Sequence, residues 1–141
     1  MKKIMVSGGF DPVHIGHIQM IEEASKWGVV TVVINSDEWL MRKKGYVFMP
    51  WKERAHIMGN IKGVVLVSGV DDSDGTVCKA IEQHRPSAFA NGGDRKKENT
   101  PEMIVCDELG VQMLWGIGGK DKPQSSSWLV NKAMEQLNEN R

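Results

Sequence analysis

At 141 residues the chain predicts a single domain, residues 1–141, with a substantial core, and its 18 lysines and arginines are balanced by 18 aspartates and glutamates. This balance excludes the net positive charge that would favour nucleic acid or an anionic membrane as a partner, so any anion must bind at a local cluster. The two cysteines, Cys78 and Cys106, form no CxxC pair, and no apolar run approaches the roughly 18 residues of a membrane span, which predicts buried thiols and a cytoplasmic location.

Five short apolar runs along the chain, several of them rich in β-branched residues, are typical of strands buried on both faces. They alternate with segments of helical period, and this alternation indicates βαβ units with right-handed crossovers. We therefore predict an α/β fold, a Rossmann-like three-layer sandwich around a five-stranded parallel sheet. The predicted strands are residues 3–6, 29–34, 64–67, 88–90 and 111–115.

Capping residues mark several of the predicted helices. Ser36 and Asp74 are suitable N-caps, and Thr100 precedes a proline in a first helical position. The predicted helices are 15–27, 37–43, 50–61, a segment that includes 77–84, 101–109 and the segment after residue 125. In the last of them the apolar residues fall on one stripe, which consists of Val130, Ala133, Met134 and Leu137.

Three glycine-rich or polar stretches, residues 8–17, 92–95 and 116–127, each follow a predicted strand. In a doubly wound sheet, ligands bind at the carboxyl ends of the strands, where the strand order reverses. The three stretches are therefore predicted to line a common cleft and to form one site.

The first of these stretches, SGGFDPVHIGH, places two histidines at the opening of a helix. The glycines before them allow a sharp turn and the close approach of a ligand, and Gly16 leaves room for a nucleotide. His14 and His17 are three residues apart, so they share one helix face beside the free N–H groups of the helix N-terminus. Phosphate binding, structural histidines and a metal site are all compatible with this pattern, although neither cysteine lies beside the histidines as a further metal ligand.

With GGFDP before it, the sequence His14-Ile15-Gly16-His17 resembles the HxGH signature of the cytidylyltransferase-like nucleotidyltransferases. The resemblance extends from residue 3 to about residue 130 and includes the KKG segment, the NGGD segment and the SSS triplet. It implies that a phosphorylated small molecule attacks the α-phosphate of a nucleoside triphosphate and expels pyrophosphate. It also implies a homodimer, and Mg²⁺ that is bound mainly by the nucleotide phosphates rather than by a protein metal site.

The motifs of this chain resemble those of glycerol-3-phosphate cytidylyltransferases and of heptose-phosphate adenylyltransferases about equally. The resemblance therefore predicts only the class of the substrates. CTP with a glycerol-3-phosphate-like polyol or sugar acceptor is preferred, and ATP with a heptose-phosphate-like sugar is the alternative. A nucleotide-binding module without catalytic activity is a third interpretation, which the retention of His14, His17 and Lys44 disfavours.

The resemblance assigns a role to each residue that matches the family's motifs. The implied catalytic residues are His14, His17, Lys44 and Arg54. The histidines hold the triphosphate, while the lysine and the arginine neutralise the acceptor and the α-phosphate. The implied nucleotide-binding residues are Gly8, Gly9, Phe10, Asp11, Gly16, Gly92, Asp94, Lys120, Ser125, Ser126 and Ser127.

Several of these nucleotide-binding residues also have a structural interpretation. Asp11 is expected to fix its loop or to help position Mg²⁺. Asp94 accepts hydrogen bonds from a ribose or a base, or else belongs to a loop turn. One of the three serines is expected to cap a helix while the others bind the β- and γ-phosphates, and Lys120 supplies the cation that is an arginine in many relatives.

Two further patterns in the sequence are not assigned to the nucleotide site. The segment GIGGK, residues 116–120, hints at a dinucleotide fingerprint or a P-loop, but Asp121 stands where the first needs glycine and the second needs serine or threonine. The aromatic residues around the KKG segment are interpreted as core or loop anchors rather than as acceptor contacts. They are Trp39, Tyr46, Phe48 and Trp51.

Overall fold

The computed structural model describes residues 2–92, 100–118 and 124–140, and of residues 91 and 92 the backbone only. Strands and helices alternate along these residues as follows: β1 (Lys3–Gly8), α1 (Ile15–Ser25), β2 (Val29–Ile34), α2 (Asp37–Lys44), α3 (Trp51–Gly59), β3 (Val64–Ser68), α4 (Cys78–His84), β4 (Ala88–Gly92), α5 (Pro101–Leu109), β5 (Gln112–Ile117) and α6 (Ser126–Glu139). The five strands pair in parallel in the order β3-β2-β1-β4-β5. The predicted α/β fold with a five-stranded parallel sheet is confirmed.

Helices cover both faces of the sheet. On one face, Ile21 and Ala24 of α1 and Met58 of α3 pack against the strands. On the other, Ile81 of α4 and Cys106 of α5 lie in a second core cluster. Because full burial of a large apolar side chain contributes about 1.5–3 kcal/mol, these two clusters stabilise the Rossmann-like three-layer arrangement that the alternating pattern predicts.

The prediction of buried thiols is confirmed for one of the two cysteines. Cys106 is fully buried, and burial raises the pKa of its thiol to about 11. Cys78 is only partly buried at the start of α4. None of the helices in the described part of the chain is long and apolar enough to cross a bilayer.

Capping residues set the helix boundaries only in part as predicted. Ser36 and Thr100 each accept a hydrogen bond from the backbone N–H three residues on, as N-caps do. The prediction of an N-cap at Asp74 is wrong, because α4 begins at Cys78. The Asp74 carboxylate instead accepts the backbone N–H and the hydroxyl of Thr76, both at 2.9 Å, and this local turn competes with a helix start.

The apolar stripe of α6 is not part of either core cluster. Met134 is 57% exposed and Leu137 is 68% exposed. The helix meets the rest of the described chain at its N-terminal end, where Ser125 and Ser126 are buried.

The sheet brings the predicted site stretches to one edge. β1 lies in the centre, between β2 and β4, and the strand order reverses there. The connection from β1 to α1, residues 9–14, therefore leaves the sheet at its switch point, the usual place for a ligand in this architecture. β4 and β5 lie next along the sheet, so the stretches after them begin at the same edge.

Candidate active site

His14 and His17 together cap the N-terminus of α1. His14 is the N-cap residue, and its Nδ1 accepts the backbone N–H of Gly16 at 3.0 Å. In return, the Nδ1 of His17 accepts the backbone N–H of His14 at 3.1 Å. The two imidazoles thus form a reciprocal capping box, a task that usually falls to a serine or threonine with a glutamate or glutamine.

This capping box determines the tautomer of both rings. A nitrogen that accepts an N–H carries no proton, so each neutral imidazole has its proton on Nε2. The rings stack with centroids 3.8 Å apart and an interplanar angle of 23°. The pair therefore presents two Nε2–H donors at the N-terminus of a helix, where the backbone dipoles already favour an anion.

His17 stays uncharged at neutral pH. Burial, the neighbouring His14 and the charge of Lys44 lower its pKa from 6.5 to about 3. Protonation of Nδ1 would also remove the acceptor that the His14 N–H needs. His17 therefore acts as a hydrogen-bond donor rather than as a cation.

Phe10 packs against the imidazole ring of His17. It is 2% exposed, and its ring lies edge-on to His17 with centroids 4.8 Å apart. The preceding glycines allow this packing, because a Cβ at Gly8 would lie 3.3 Å from the Phe10 ring and one at Gly9 would lie 2.9 Å from Leu40. The structure thus gives Phe10 a packing role against His17, and its predicted place among the nucleotide-binding residues stays a prediction.

Asp11 fixes the loop between α2 and α3. Its carboxylate is fully buried, and its two oxygens accept the backbone N–H groups of Phe48 and Met49, each at 2.6 Å. Within the described ranges no three histidine, cysteine or acidic side chains cluster as they would to bind a metal ion. Asp11 thus has the loop-fixing role that was one of its two predicted roles, and its part in positioning Mg²⁺ stays a prediction.

Lys44 lies beside the histidines, as its predicted role requires. It is the last residue of α2, which ends at Gly45 with a φ of 83°, a left-handed conformation that favours glycine. The Lys44 ammonium donates to the backbone carbonyl of Asp11 at 3.3 Å, and its charge contributes to the lowered pKa of His17. A cation therefore stands next to the two imidazole donors.

Arg54 is not placed to meet a ligand. Its side chain is fully buried, and four of its five N–H groups donate to protein oxygens. Three of these bonds, 2.8–2.9 Å long, reach the carbonyls of Gly9, Asn35 and Met49, and the fourth reaches the Asp37 carboxylate. Arg54, predicted as the second cation that binds phosphate, thus links three loops at the carboxyl ends of the strands.

A buried carboxylate that the sequence analysis did not single out supports the same loops. Asp72 is 3% exposed and accepts from the Asn35 amide at 3.0 Å and from the hydroxyl and backbone N–H of Ser36 at 2.6 and 2.8 Å. Because Asn35 also accepts from Arg54, the connection after β3 is linked to the histidine loop. The position of Asp72 shortly after a predicted strand was the available signal, since that places it at the ligand edge.

The serine triplet lies against the histidine loop. Ser125 is the N-cap of α6 and accepts the backbone N–H of Trp128 at 3.4 Å. The Ser126 hydroxyl donates to the Pro12 carbonyl at 2.7 Å, whereas Ser127 is exposed. The prediction that one serine caps a helix is confirmed, and the N-termini of α1 and α6 are joined two residues before His14.

The remaining predicted site residues are only partly described. Gly92 ends β4 and pairs with Ile117 of β5. Gly118, directly after β5, has a φ of 92°, and a Cβ there would lie 3.1 Å from the α-carbon of Met20 in α1. Asp94 and Lys120 lie outside the described residues.

Sequence comparisons connect this geometry to known proteins. A family model described as cytidylyltransferase-like matches residues 5–116. An FAD synthase of Ferroglobus placidus is 35% identical over 95 residues, which are 67% of this chain and 61% of that protein. An FAD synthase of Methanobrevibacter smithii is 32% identical over 116 residues, which are 79% of this chain and 75% of that protein.

Two further similarities extend over more of the chain. The bifunctional protein HldE of Geobacter metallireducens is 28% identical over an alignment that covers 98% of this chain and 28% of that protein. The crystal structure of a lipopolysaccharide core biosynthesis protein from Thermoplasma volcanium is similar with a TM-score of 0.71 and 25% identity, covering 86% of this chain and 99% of the other. The chain thus spans 61% of the Ferroglobus relative and 28% of the Geobacter relative.

Proposed function

The chain belongs to the cytidylyltransferase-like family of nucleotidyltransferases, and from this premise we propose that it transfers an adenylyl group from ATP to a phosphorylated small molecule and releases pyrophosphate. The observation that carries this proposal is the stacked pair His14 and His17, whose Nε2–H donors stand at the N-terminus of α1 beside Lys44. Two neutral donors, a helix N-terminus and one ammonium are suited to a polyphosphate.

The reaction needs positioning and charge stabilisation more than acid–base chemistry. A phosphate oxygen of the acceptor, already ionised at neutral pH, forms a bond to the α-phosphorus. The bond from that phosphorus to the bridging oxygen of the β-phosphate breaks, and pyrophosphate leaves with its electron pair. No proton has to be removed from the nucleophile, so the site needs no general base.

Each described residue near the histidines has a place in this step. The imidazole Nε2–H groups of His14 and His17 donate to phosphate oxygens, and these bonds strengthen as negative charge develops. Lys44 offsets the repulsion between the acceptor phosphate and the triphosphate. A neutral His17 suits this division, because its donor keeps its geometry without placing a second positive charge against His14.

Arg54, Asp11 and Asp72 act on the reaction indirectly. Arg54 donates to the Gly9 carbonyl, and Asp11 accepts the backbone N–H groups of Phe48 and Met49. Asp72 holds Asn35 and Ser36 in the neighbouring loop. A rigid loop holds catalytic groups at the correct separation without reorganisation during the reaction. We propose positioning roles for these three residues. Mg²⁺ remains a prediction, and it would be bound by oxygens of the nucleotide.

The choice of ATP rests on the relatives rather than on the described geometry. The sequence motifs preferred CTP, and residues 93–99, near the expected base, lie outside the described part of the chain. FAD consists of an adenylyl group joined to flavin mononucleotide, and two FAD synthases are 35% and 32% identical to this chain. These similarities support ATP as the donor and flavin mononucleotide as a candidate acceptor, with a sugar phosphate as the second candidate.

A pyrophosphate-release assay tests the proposal. The protein is incubated with Mg²⁺, with ATP or CTP as the nucleotide, and with one acceptor at a time. The acceptors are flavin mononucleotide, a heptose phosphate, ribose 5-phosphate and glycerol 3-phosphate. The products are identified by mass spectrometry. We expect one pyrophosphate for each adenylylated acceptor. Higher activity with CTP would overturn the choice of nucleotide, and nucleotide binding without pyrophosphate from any acceptor would favour the inactive binding module.

A further inference from the structure

We infer that Phe48 is a specificity-determining residue that contacts the organic part of the acceptor, and that this acceptor carries a flat conjugated ring. The inference rests on the proposed function, because it assumes that the acceptor's phosphate binds at the histidines and Lys44 and then asks what binds the rest of the acceptor. It departs from the sequence interpretation of Phe48 as a core or loop anchor.

The backbone at Phe48 is fixed in place. Its N–H donates to one oxygen of the buried Asp11 carboxylate, and the next N–H, of Met49, donates to the other, each at 2.6 Å. The Met49 carbonyl accepts from the guanidinium of Arg54 at 2.9 Å. The connection between α2 and α3 is therefore held by two fully buried charged side chains.

The ring of Phe48 nevertheless belongs to neither core cluster and is 59% exposed. The other two phenylalanines of the chain, Phe10 and Phe89, are 2% and 3% exposed. A large apolar side chain gains free energy by burial, so a fixed backbone that leaves one in solvent gives up that gain. Scattered exposed apolar residues are common. Phe48 differs from them because its backbone N–H is bonded to Asp11, in the loop that carries the histidines.

Phe48 and Lys44 both contact Asp11. The Lys44 ammonium lies 3.3 Å from the Asp11 backbone carbonyl, and the Phe48 N–H lies 2.6 Å from its carboxylate. An acceptor whose phosphate lies between Lys44 and the histidines therefore has the Phe48 segment within reach of its organic part.

A second aromatic ring borders the same place. Trp39 of α2 lies close to the histidine loop, since a Cβ at Gly9 would be 3.5 Å from its ring. The Lys43 ammonium lies 5.8 Å from the centroid of this ring. Aromatic rings and cations around a phosphate site suit an anion that also carries a conjugated ring system. A sugar phosphate offers hydroxyl groups instead, which Phe48 cannot bind through hydrogen bonds.

Flavin mononucleotide is the probe of this class, because it joins a phosphate to a three-ring conjugated system. The test compares the wild type with Phe48→Leu, Phe48→Tyr and the control Trp27→Leu. Trp27 is 49% exposed and follows the C-terminal end of α1, whereas the site lies at the N-terminal end of that helix. The KM for flavin mononucleotide and the KM for ATP are measured for each variant.

We expect Phe48→Leu to raise the KM for flavin mononucleotide roughly 3- to 10-fold, the range for loss of one aromatic stacking contact. Phe48→Tyr, which keeps an aromatic ring, retains the wild-type KM for flavin mononucleotide. The KM for ATP stays unchanged in both Phe48 variants, and Trp27→Leu changes neither KM. An unchanged KM for flavin mononucleotide in Phe48→Leu, or an equal rise for ATP, would overturn the inference.

Binding measured without turnover separates this inference from the proposed function. Flavin fluorescence is titrated with wild type and with Phe48→Leu, after thermal melting shows that the variant is folded. Weaker binding by the variant supports the inference even where turnover is slow. If pyrophosphate is released with a sugar phosphate while flavin mononucleotide neither binds nor reacts, the inference fails and the proposed function stands. If no acceptor gives pyrophosphate, the proposed function itself fails.

Discussion

The Nδ1 atom of His17 accepts the backbone N–H of His14 at 3.1 Å, so one histidine side chain caps the helix that the other histidine begins. The same bond directs the Nε2–H of His17 away from the backbone. A single ring therefore does two things that substitutions can separate. It stabilises the start of α1 through Nδ1, and in the proposed reaction it donates to phosphate through Nε2.

Replacement of His17 by asparagine or by glutamine tests this separation. The asparagine amide oxygen can accept the His14 N–H as Nδ1 does, but no donor remains at the Nε2 position. We expect His17→Asn to leave the melting temperature nearly unchanged and to lower kcat by about 10²-fold or more. His17→Gln, whose amide nitrogen reaches further, retains more activity. His56→Asn, on the exposed surface of α3, is the control, and wild-type turnover by His17→Asn would contradict the proposed role.

The lowered pKa of His17 predicts that acid destabilises the protein. Between pH 6.5 and about 3 the unfolded chain binds a proton at this histidine that the folded chain does not. The unfolded state therefore gains protons as the pH falls, and the contribution of His17 to stability is retained above pH 6.5 and is lost towards pH 3. The limiting slope for one such group is about 1.4 kcal/mol per pH unit.

Urea unfolding at several values between pH 7 and pH 4 measures this effect. We expect the free energy of unfolding to fall less steeply with acid in His17→Asn than in the wild type, because the substituted residue does not titrate. Identical pH dependence in the two proteins would show that His17 has an ordinary pKa in the folded state.

The buried guanidinium of Arg54 predicts a large effect on stability. Arg54→Met leaves the carbonyls of Gly9, Asn35 and Met49 without their donor, and loss of one partner from a buried charged network costs about 3–5 kcal/mol. Arg42→Met is the control, since it removes only one hydrogen bond, to the carbonyl of Asp72, worth about 0.5–1.5 kcal/mol. Both values are read from chemical unfolding. Equal effects of the two substitutions would contradict the central place of Arg54.

Neighbouring lysines at the end of α2 provide a matched comparison. Lys44 lies at the Asp11 carbonyl and acts on His17, whereas Lys43 lies near the ring of Trp39. We expect Lys44→Gln to lower kcat/KM on the order of 10²-fold, as for loss of a group that stabilises transition-state charge. Lys43→Gln should change kcat/KM much less. The measurement is the initial rate of pyrophosphate release, and a larger loss in Lys43→Gln would reverse the assignment.

Local patterns in the sequence were sufficient to predict the architecture and the position of the two histidines at the start of α1. Apolar runs locate all five strands, and the switch-point rule brings the histidines to the ligand edge. The expectation that every strand is buried on both faces is wrong for β3, an edge strand in which Val65 is 62% and Leu66 is 47% exposed. Ser36 and Thr100 are identified as caps because the side chain of each bonds within its own turn. These properties depend on residues that are close in the sequence.

Properties that depend on contacts between residues far apart in the sequence could not be predicted from local patterns. Arg54 matches a phosphate cation in the family pattern, yet its burial depends on carbonyls 45 and 19 residues away in the sequence. Asp72 and Asp74 are two similar residues of one acidic loop, but only Asp72 meets Asn35 and Ser36 across the sheet edge. The exposed ring of Phe48 likewise follows from the Asp11 bond to its backbone rather than from its own type.

The role of His14 and His17 as paired Nε2–H donors to phosphate is tested by a long-range ¹H–¹⁵N NMR spectrum of the imidazole rings at pH 7, with and without ATP and Mg²⁺. The resonances are assigned with His14→Asn and His17→Asn. We expect both rings to be neutral with the proton on Nε2, and nucleotide to shift the Nε2 resonances of both while each Nδ1 remains unprotonated. A ring of His14 or His17 with its proton on Nδ1, or Nε2 resonances that do not respond to nucleotide, would contradict this role.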